Sequence, residues 1–146
     1  MPVSDTVRIT RTVRFSAAHR YHSDRLSDEE NRRVFGKCNR PHGHGHDYRV
    51  DVAVEGPVDP VTGMVMNLAD LDAVLKEHVV EPLDHSFLNL DVEHFATVVP
   101  TCENIALYVV DLITEPLERF GIRLAAVRVW EGPDLYAEVD LEGATS

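Results

Sequence analysis

Between His44 and Glu55 the residues alternate, with Tyr48, Val50, Val52 and Val54 on one parity and Asp47, Arg49, Asp51 and Glu55 on the other. A period of two places successive side chains on opposite faces, which is the pattern of a half-buried β-strand. Such a strand requires hydrogen-bonded neighbours and a layer over its apolar face. A second run, Thr6 to His19, supplies one neighbour: Val7, Ile9, Val13, Phe15 and Ala17 share a parity, and His19 falls on the same face if the strand stays regular to its end. Two further alternating runs, 122–131 and 135–141, flank Gly132-Pro133-Asp134 and read as a hairpin.

The covering layer comes from the middle of the chain. After the turn-forming stretch at 56–63, Asn67 can cap a helix whose apolar face is Leu68, Leu71, Val74, Leu75, His78 and Val79, with Pro82 closing it. Thr101 can cap a second helix carrying Ile105, Tyr108, Val109, Leu112 and Ile113, with Gly121 as its stop. Pro116 implies either a kink or an end and restart within it. Residues 22–37 are polar and read as a long loop with a short helical turn. The order is strand, strand, helix, helix, strand, strand, so the expected fold class is α+β, an antiparallel sheet with helices on one face. Without a linker or repeat, residues 1–146 are expected to form a single domain.

Charge narrows the function classes. The formal net charge is −11, so the chain offers nucleic acid no general basic face. The same acidity suits a polyanionic substrate poorly unless local arginines or a metal offset it. Arg8, Arg11, Arg14, Arg20, Arg32 and Arg33 make the first third its basic part, and a solvated surface is their ordinary explanation. No apolar run is long enough to cross a bilayer, and the start of the chain lacks the apolar core of a secretion signal. The expectation is a cytoplasmic protein with no membrane partner, whose two cysteines, Cys38 and Cys102, remain reduced.

Chemistry concentrates where the strands end. His44 and His46 are two apart on a predicted strand, so both imidazoles point to one side, and His19 ends the neighbouring strand facing inward. Three neutral imidazoles with a fourth position left open are a common catalytic zinc set. His42, His44 and His46 all share strand parity, and geometry alone leaves the pair open; His44 and His46 are preferred because they lie closest to the regular strand. Cys38 precedes this cluster and can be drawn toward thiolate by zinc or an arginine. Cys102, beside an apolar helical pattern, reads as a small packing residue. Asp84-His85 follows Pro82, and a carboxylate orienting a histidine that reaches a thiol is the general logic of an activated nucleophile or base. Glu131 ends a strand and lies either at a solvent rim or in a pocket.

Six segments together carry a resemblance: FSAAH at 15–19, FGKCNRPHGHGHDY at 35–48, MVMNLADL at 64–71, PLDHSFLN at 82–89, PTCEN at 100–104 and VWEG at 129–132. In order along nearly the whole chain, they resemble the 6-pyruvoyltetrahydropterin synthases and their relatives. The resemblance implies the tunnelling (T-) fold, with a four-stranded antiparallel sheet and two helices on one face. It also implies a homo-hexamer, a dimer of trimers with active sites between subunits. By the same resemblance His19, His44 and His46 hold Zn2+, Cys38 is the catalytic thiol with Asp84 and His85 as partners, Glu131 anchors the pterin, and Glu103 touches substrate. The implied reaction converts 7,8-dihydroneopterin triphosphate to 6-pyruvoyltetrahydropterin with loss of triphosphate.

His42 and Cys102 depart from the simplest family pattern. The alternative branch, the 6-carboxytetrahydropterin synthases of queuosine biosynthesis, usually has three residues between the cysteine and the first strand histidine. Five separate Cys38 from His44, as in the biopterin branch, whereas reading to His42 gives three. A non-catalytic zinc- or pterin-binding module would be expected to lack the thiol or the Asp-His pair, and a generic zinc hydrolase to carry HExxH; neither mark is found.

Overall fold

In the computed structural model, which describes residues 6–141, the alternating run from His44 lies in the central strand of a five-stranded sheet. In chain order the elements are β1 (Thr6–His19), α1 (Asp28–Phe35), a 3-10 turn (Gly36–Asn39), β2 (His44–Pro57), α2 (Leu68–Leu75), a π-helical turn (Lys76–Val80) and α3 (Glu81–Leu83). There follow β3 (Ser86–Phe87), α4 (Leu88–Asp91), a second 3-10 turn (Glu93–Ala96), α5 (Cys102–Glu118), β4 (Arg123–Glu131) and β5 (Tyr136–Asp140). The sheet order is β3-β1-β2-β4-β5.

Four long strands pair antiparallel, as the alternation requires. The expectation of a four-stranded antiparallel sheet is nonetheless corrected, because β3 adds a fifth strand parallel to β1, pairing Ser86 with Ala17 and Phe87 with Ala18. Two residues are too few to show a period, so this strand is set by its partner and not by its own sequence.

Tyr48, Val50, Val52 and Val54 of β2 and Val127 and Val129 of β4 are buried against Leu71, Val74 and Leu75 of α2 and Ile105, Val109 and Ile113 of α5. Each such aliphatic side chain contributes about 1.5–3 kcal/mol through burial. The opposite face is polar. Asp51, 6% exposed, accepts there from Thr12 Oγ1 at 2.6 Å, Arg49 Nε at 2.9 Å and Trp130 Nε1 at 2.8 Å.

Asn67 caps α2 by accepting from the Ala69 N–H. Pro82 does not close that helix: the chain passes through the π turn into α3 and leaves helical geometry only at Asp84. The π turn resets the register so that Pro82 lies in the first turn of a new helical segment, where a missing N–H is tolerated. In α5, capped by Thr101, the helix runs through Pro116 to Glu118, and Gly121 ends the excursion at φ +72°. The helical turn expected within 22–37 is the two-turn α1, held by a capping box between Ser27 and Glu30. No described helix is long and apolar enough to cross a membrane.

Candidate active site

Strand register alone stacks the central residues of the site. His19 pairs with His44, Ala17 with His46, and Phe15 with Tyr48 across β1 and β2, and Tyr48 pairs with Glu131 across β2 and β4. Residues two apart face the same way, so His44, His46 and Tyr48 form one column with His19 and Glu131 beside it.

The three imidazoles make a nearly equilateral triangle, with ring centroids 4.7, 4.8 and 4.8 Å apart. One nitrogen from each lies within 4.8 Å of the others. His19, fully buried, engages the Tyr48 hydroxyl through Nδ1 at 2.5 Å, leaving Nε2 toward His44 Nε2 at 3.2 Å. His46 Nε2 approaches Glu131 Oε1 at 2.9 Å without hydrogen-bonding geometry and is the one buried side-chain nitrogen or oxygen among the described residues left without a partner. Burial, followed by the neighbouring His46 and His44, pushes the His19 pKa down to about 3, so its ring is neutral at physiological pH. Three convergent imidazole nitrogens, one of them orphaned, fit a zinc-type metal.

His44 can turn into this cluster because Gly43 precedes it. Gly43 has φ +67°, and a Cβ there would lie 2.6 Å from the His19 carbonyl oxygen and 2.8 Å from Phe87 Cζ. The same turn leaves His42 exposed and outside the triangle.

Cys38 is brought in by backbone ties. The Tyr21 N–H donates to the Cys38 carbonyl at 2.7 Å, and Asn39 Nδ2 donates to the Tyr21 carbonyl at 2.7 Å. Cys38 Sγ lies 3.9 Å from His44 Nε2. Burial and, less strongly, the Glu131 carboxylate raise the Cys38 pKa, so the protein groups alone favour the thiol.

Glu131 is largely shielded from solvent, its side chain 14% exposed. Tyr21 Oη donates to its Oε2 at 3.1 Å, and Cys102 Sγ lies 3.5 Å from the same oxygen. Cys102 is therefore more than a packing residue; burial and Glu131 push its thiol up to about 12. Tyr21 and Tyr48, neither singled out in the sequence, line the cluster, and burial raises both phenols. Tyr48 shared the histidines' parity and was legible in principle. Tyr21 lay in an irregular stretch with no such signal. Glu103 lies exposed in the first turn of α5, beside Cys102.

Asp84-His85 stands apart. The Ser16 N–H donates to Asp84 Oδ1 at 2.9 Å, and His85 Nδ1 lies 2.9 Å from Asp84 Oδ2. The first of these, then the second, lowers the Asp84 pKa. His85 is 85% exposed and the sole non-glycine residue at positive φ among the described residues, held at +57° by its N–H to the Ser16 carbonyl. It opens on a shallow groove of about 350 Å³ that is also lined by Ser16, Ala17, Ala18, His46 and Asp47. Among the described residues no hydrogen bond joins His85 to Cys38.

Fold and site thus define a small-molecule site at the end of an α+β sheet, with a metal-competent histidine triangle, a buried carboxylate and a thiol. The profile of the family described as 6-pyruvoyl tetrahydropterin synthase matches residues 8–142. The human 6-pyruvoyl tetrahydrobiopterin synthase is 52% identical over 124 residues, covering 85% of this chain and 84% of that protein. An Archaeoglobus fulgidus protein provisionally named 6-carboxy-5,6,7,8-tetrahydropterin synthase is 37% identical over 103 residues, covering 70% of this chain and 78% of that protein. The solved structure of Caenorhabditis elegans 6-pyruvoyl tetrahydropterin synthase superposes with a TM-score of 0.88 at 40% identity, covering 96% of this chain and 99% of that one. The chain belongs to the 6-pyruvoyl tetrahydropterin synthase family, in which the human relative is a 6-pyruvoyl tetrahydrobiopterin synthase.

Proposed function

We propose that this protein is a zinc-dependent lyase that converts 7,8-dihydroneopterin triphosphate to 6-pyruvoyltetrahydropterin with elimination of triphosphate. The observation that carries the reading is the contact of a metal-competent triangle with both a thiol and a buried carboxylate: Cys38 Sγ at 3.9 Å from His44 Nε2 and Glu131 Oε1 at 2.9 Å from His46 Nε2.

His19, His44 and His46 would hold the zinc, which when bound polarises side-chain oxygens and acidifies the adjacent C–H bonds. Glu131 accepts the two parallel N–H donors of the pterin pyrimidine edge, a fork that suits a carboxylate. Tyr21 holds one oxygen of that carboxylate in place. Cys38 takes a carbon-bound proton as general base, and the electrons of that C–H bond form the enol that becomes one ketone as triphosphate leaves with its bonding pair. The second carbinol carbon is oxidised to a ketone while the ring C=N is reduced by proton shifts within the same molecule, so no external redox partner is needed. His85 relays protons and Asp84 orients it. Glu103 adds a substrate contact.

Because no hydrogen bond among the described residues joins His85 to Cys38, the reading has Asp84-His85 of a neighbouring subunit reach Cys38 in a homo-hexamer, a dimer of trimers. Exposed sheet edges at β5 and along β1 beyond β3 support such closure.

The second reading, 6-carboxytetrahydropterin formation in queuosine synthesis, has the Archaeoglobus likeness in its favour, at lower identity than the human one. The five-residue spacing from Cys38 to His44 favours the first. Zinc-loaded protein given dihydroneopterin triphosphate is expected to release triphosphate and retain the three-carbon side chain. Stoichiometric acetaldehyde with a 6-carboxy product would establish the second reading. Pterin binding without turnover would establish a binding module instead.

A further inference from the structure

The two oxygens of Glu131 have unequal partners. Oε2 accepts from Tyr21 Oη at 3.1 Å and faces the Cys102 thiol at 3.5 Å. Oε1 lies 2.9 Å from His46 Nε2 and accepts no hydrogen bond among the described residues. Nor does a lysine or arginine pair with this carboxylate among the described residues. Its orientation therefore depends on the two donors at Oε2.

Tyr21 is the firmer of the two. Its N–H donates to the Cys38 carbonyl at 2.7 Å, and its carbonyl accepts from Asn39 Nδ2 at 2.7 Å. Arg20, the residue before it, exchanges two backbone bonds with the Asn89 amide, both 2.8 Å. The Tyr21 ring lies against His19 with centroids 4.6 Å apart and meets Phe35 edge-on at 5.9 Å. Main chain and ring thus place the hydroxyl independently of Glu131. The Cys102 thiol is a weak donor at long range, so it is the contact a ligand N–H can displace. A carboxylate oxygen has two lone pairs; with Tyr21 on one, Oε2 keeps one for a ligand.

We propose that Tyr21 is a positioning residue that sets ring specificity: its hydroxyl pins Glu131 Oε2, so the carboxylate admits a ring edge with two adjacent N–H donors and rejects one in which a carbonyl replaces the outer donor. The proposal rests on the reading that the pterin ring sits at Glu131. The 2-amino-4-oxo edge of a pterin offers an exocyclic N–H beside the ring N–H, one for each carboxylate oxygen. The corresponding 2,4-dioxo ring, a lumazine, keeps the ring N–H but sets a carbonyl oxygen against the other carboxylate oxygen, two acceptors with no proton between them. A carboxylate able to turn relieves that clash by swinging one oxygen aside. A pinned one cannot.

The test uses the zinc-loaded full chain and two probes measured by calorimetry, neopterin and the lumazine that carries the same side chain. Wild type is expected to favour neopterin by about a hundredfold or more, as a site does when the wrong ligand leaves its polar group unpaired. Y21F keeps the ring and both main-chain bonds and removes only the hydroxyl. It is expected to lower the neopterin-to-lumazine affinity ratio by about tenfold or more, the scale of one hydrogen bond to a charged group. A merely structural role would weaken both ligands alike, and a partial loss of stability leaves a ratio read on one protein in place. C102A is expected to shift the ratio by less than about threefold, because a weak donor that yields to the ligand fixes little. An unchanged ratio in Y21F, a wild type without preference, or a shift in C102A as large as in Y21F would overturn the proposal. E131Q separates this from the functional reading. Weakened neopterin binding in E131Q keeps the ring at Glu131 even where Y21F shows no effect; unchanged binding removes the ring from Glu131 and overturns the proposal with it. Wild-type protein that binds neither probe would overturn both.

Discussion

The histidine triangle and the Asp84-His85 turn are built in opposite ways. The triangle has His19 fully buried and His44 and His46 half-buried, its members set by the pairing of two fourteen-residue strands within a single chain. The Asp84-His85 pair sits in the turn between α3 and β3, with His85 85% exposed and at positive φ, held by bonds to the Ser16 backbone. Strained backbone persists where its surroundings over-determine it, and it clusters at functional positions. The contrast teaches that one region is set by strand register while the other is oriented by two bonds to a single backbone residue.

Metal content should separate the two regions most sharply. His46→Ala is expected to abolish zinc retention, because one of three ligands is lost. His85→Ala should keep one zinc per chain by elemental analysis. Zinc loss in His85→Ala would erase the distinction.

Turnover tests whether the second region needs a partner. Cys38→Ala and His85→Ala should each lose about 10²–10⁴-fold in turnover, the usual cost of a missing general acid or base. Co-refolded mixtures of the two variants should recover activity toward about a quarter of wild type, since intact sites then form between unlike chains of a symmetric assembly. A mixture as inactive as its components would place both groups in one chain's site.

Glu131→Gln should weaken pterin binding by about 2–5 kcal/mol, because an amide cannot accept both ring donors and a buried charged pair is broken. Titration calorimetry with neopterin checks this, and unchanged affinity would remove Glu131 from the pterin site.

Gly43→Ala should destabilise the protein by about 1–3 kcal/mol, through a Cβ forced onto the His19 carbonyl and Phe87 at a positive φ. Thermal unfolding with and without zinc is the measurement. A variant as stable as wild type would show that the turn relaxes freely.

The smallest effect concerns acid. Asp84 has a lowered pKa in the folded chain, so the unfolded state binds the extra proton as pH falls. Its contribution is present above the ordinary carboxylate value and is lost as pH drops through the lowered one. Asp84→Asn should therefore flatten the acid limb of the stability curve, and an unchanged limb would show that the Ser16 bond carries no net stability.

Much of this was legible in residue order. Period-two alternation determined β1, β2 and the β4–β5 hairpin, and shared parity placed His44, His46 and His19 on one face, because a strand converts sequence spacing directly into direction. Asn67 and Thr101 announced their helices by local capping chemistry that needs no distant partner. What the sequence left open required contacts far along the chain. The two-residue β3 exists only because β1 is beside it. Pro82 is admitted to a helical path by a π turn whose register depends on packing against the sheet. Glu131 gained Cys102 and Tyr21 as neighbours only when β4, α5 and the loop after β1 converged on one point. Local periodicity decides which way a side chain points; only tertiary closure decides what it meets there.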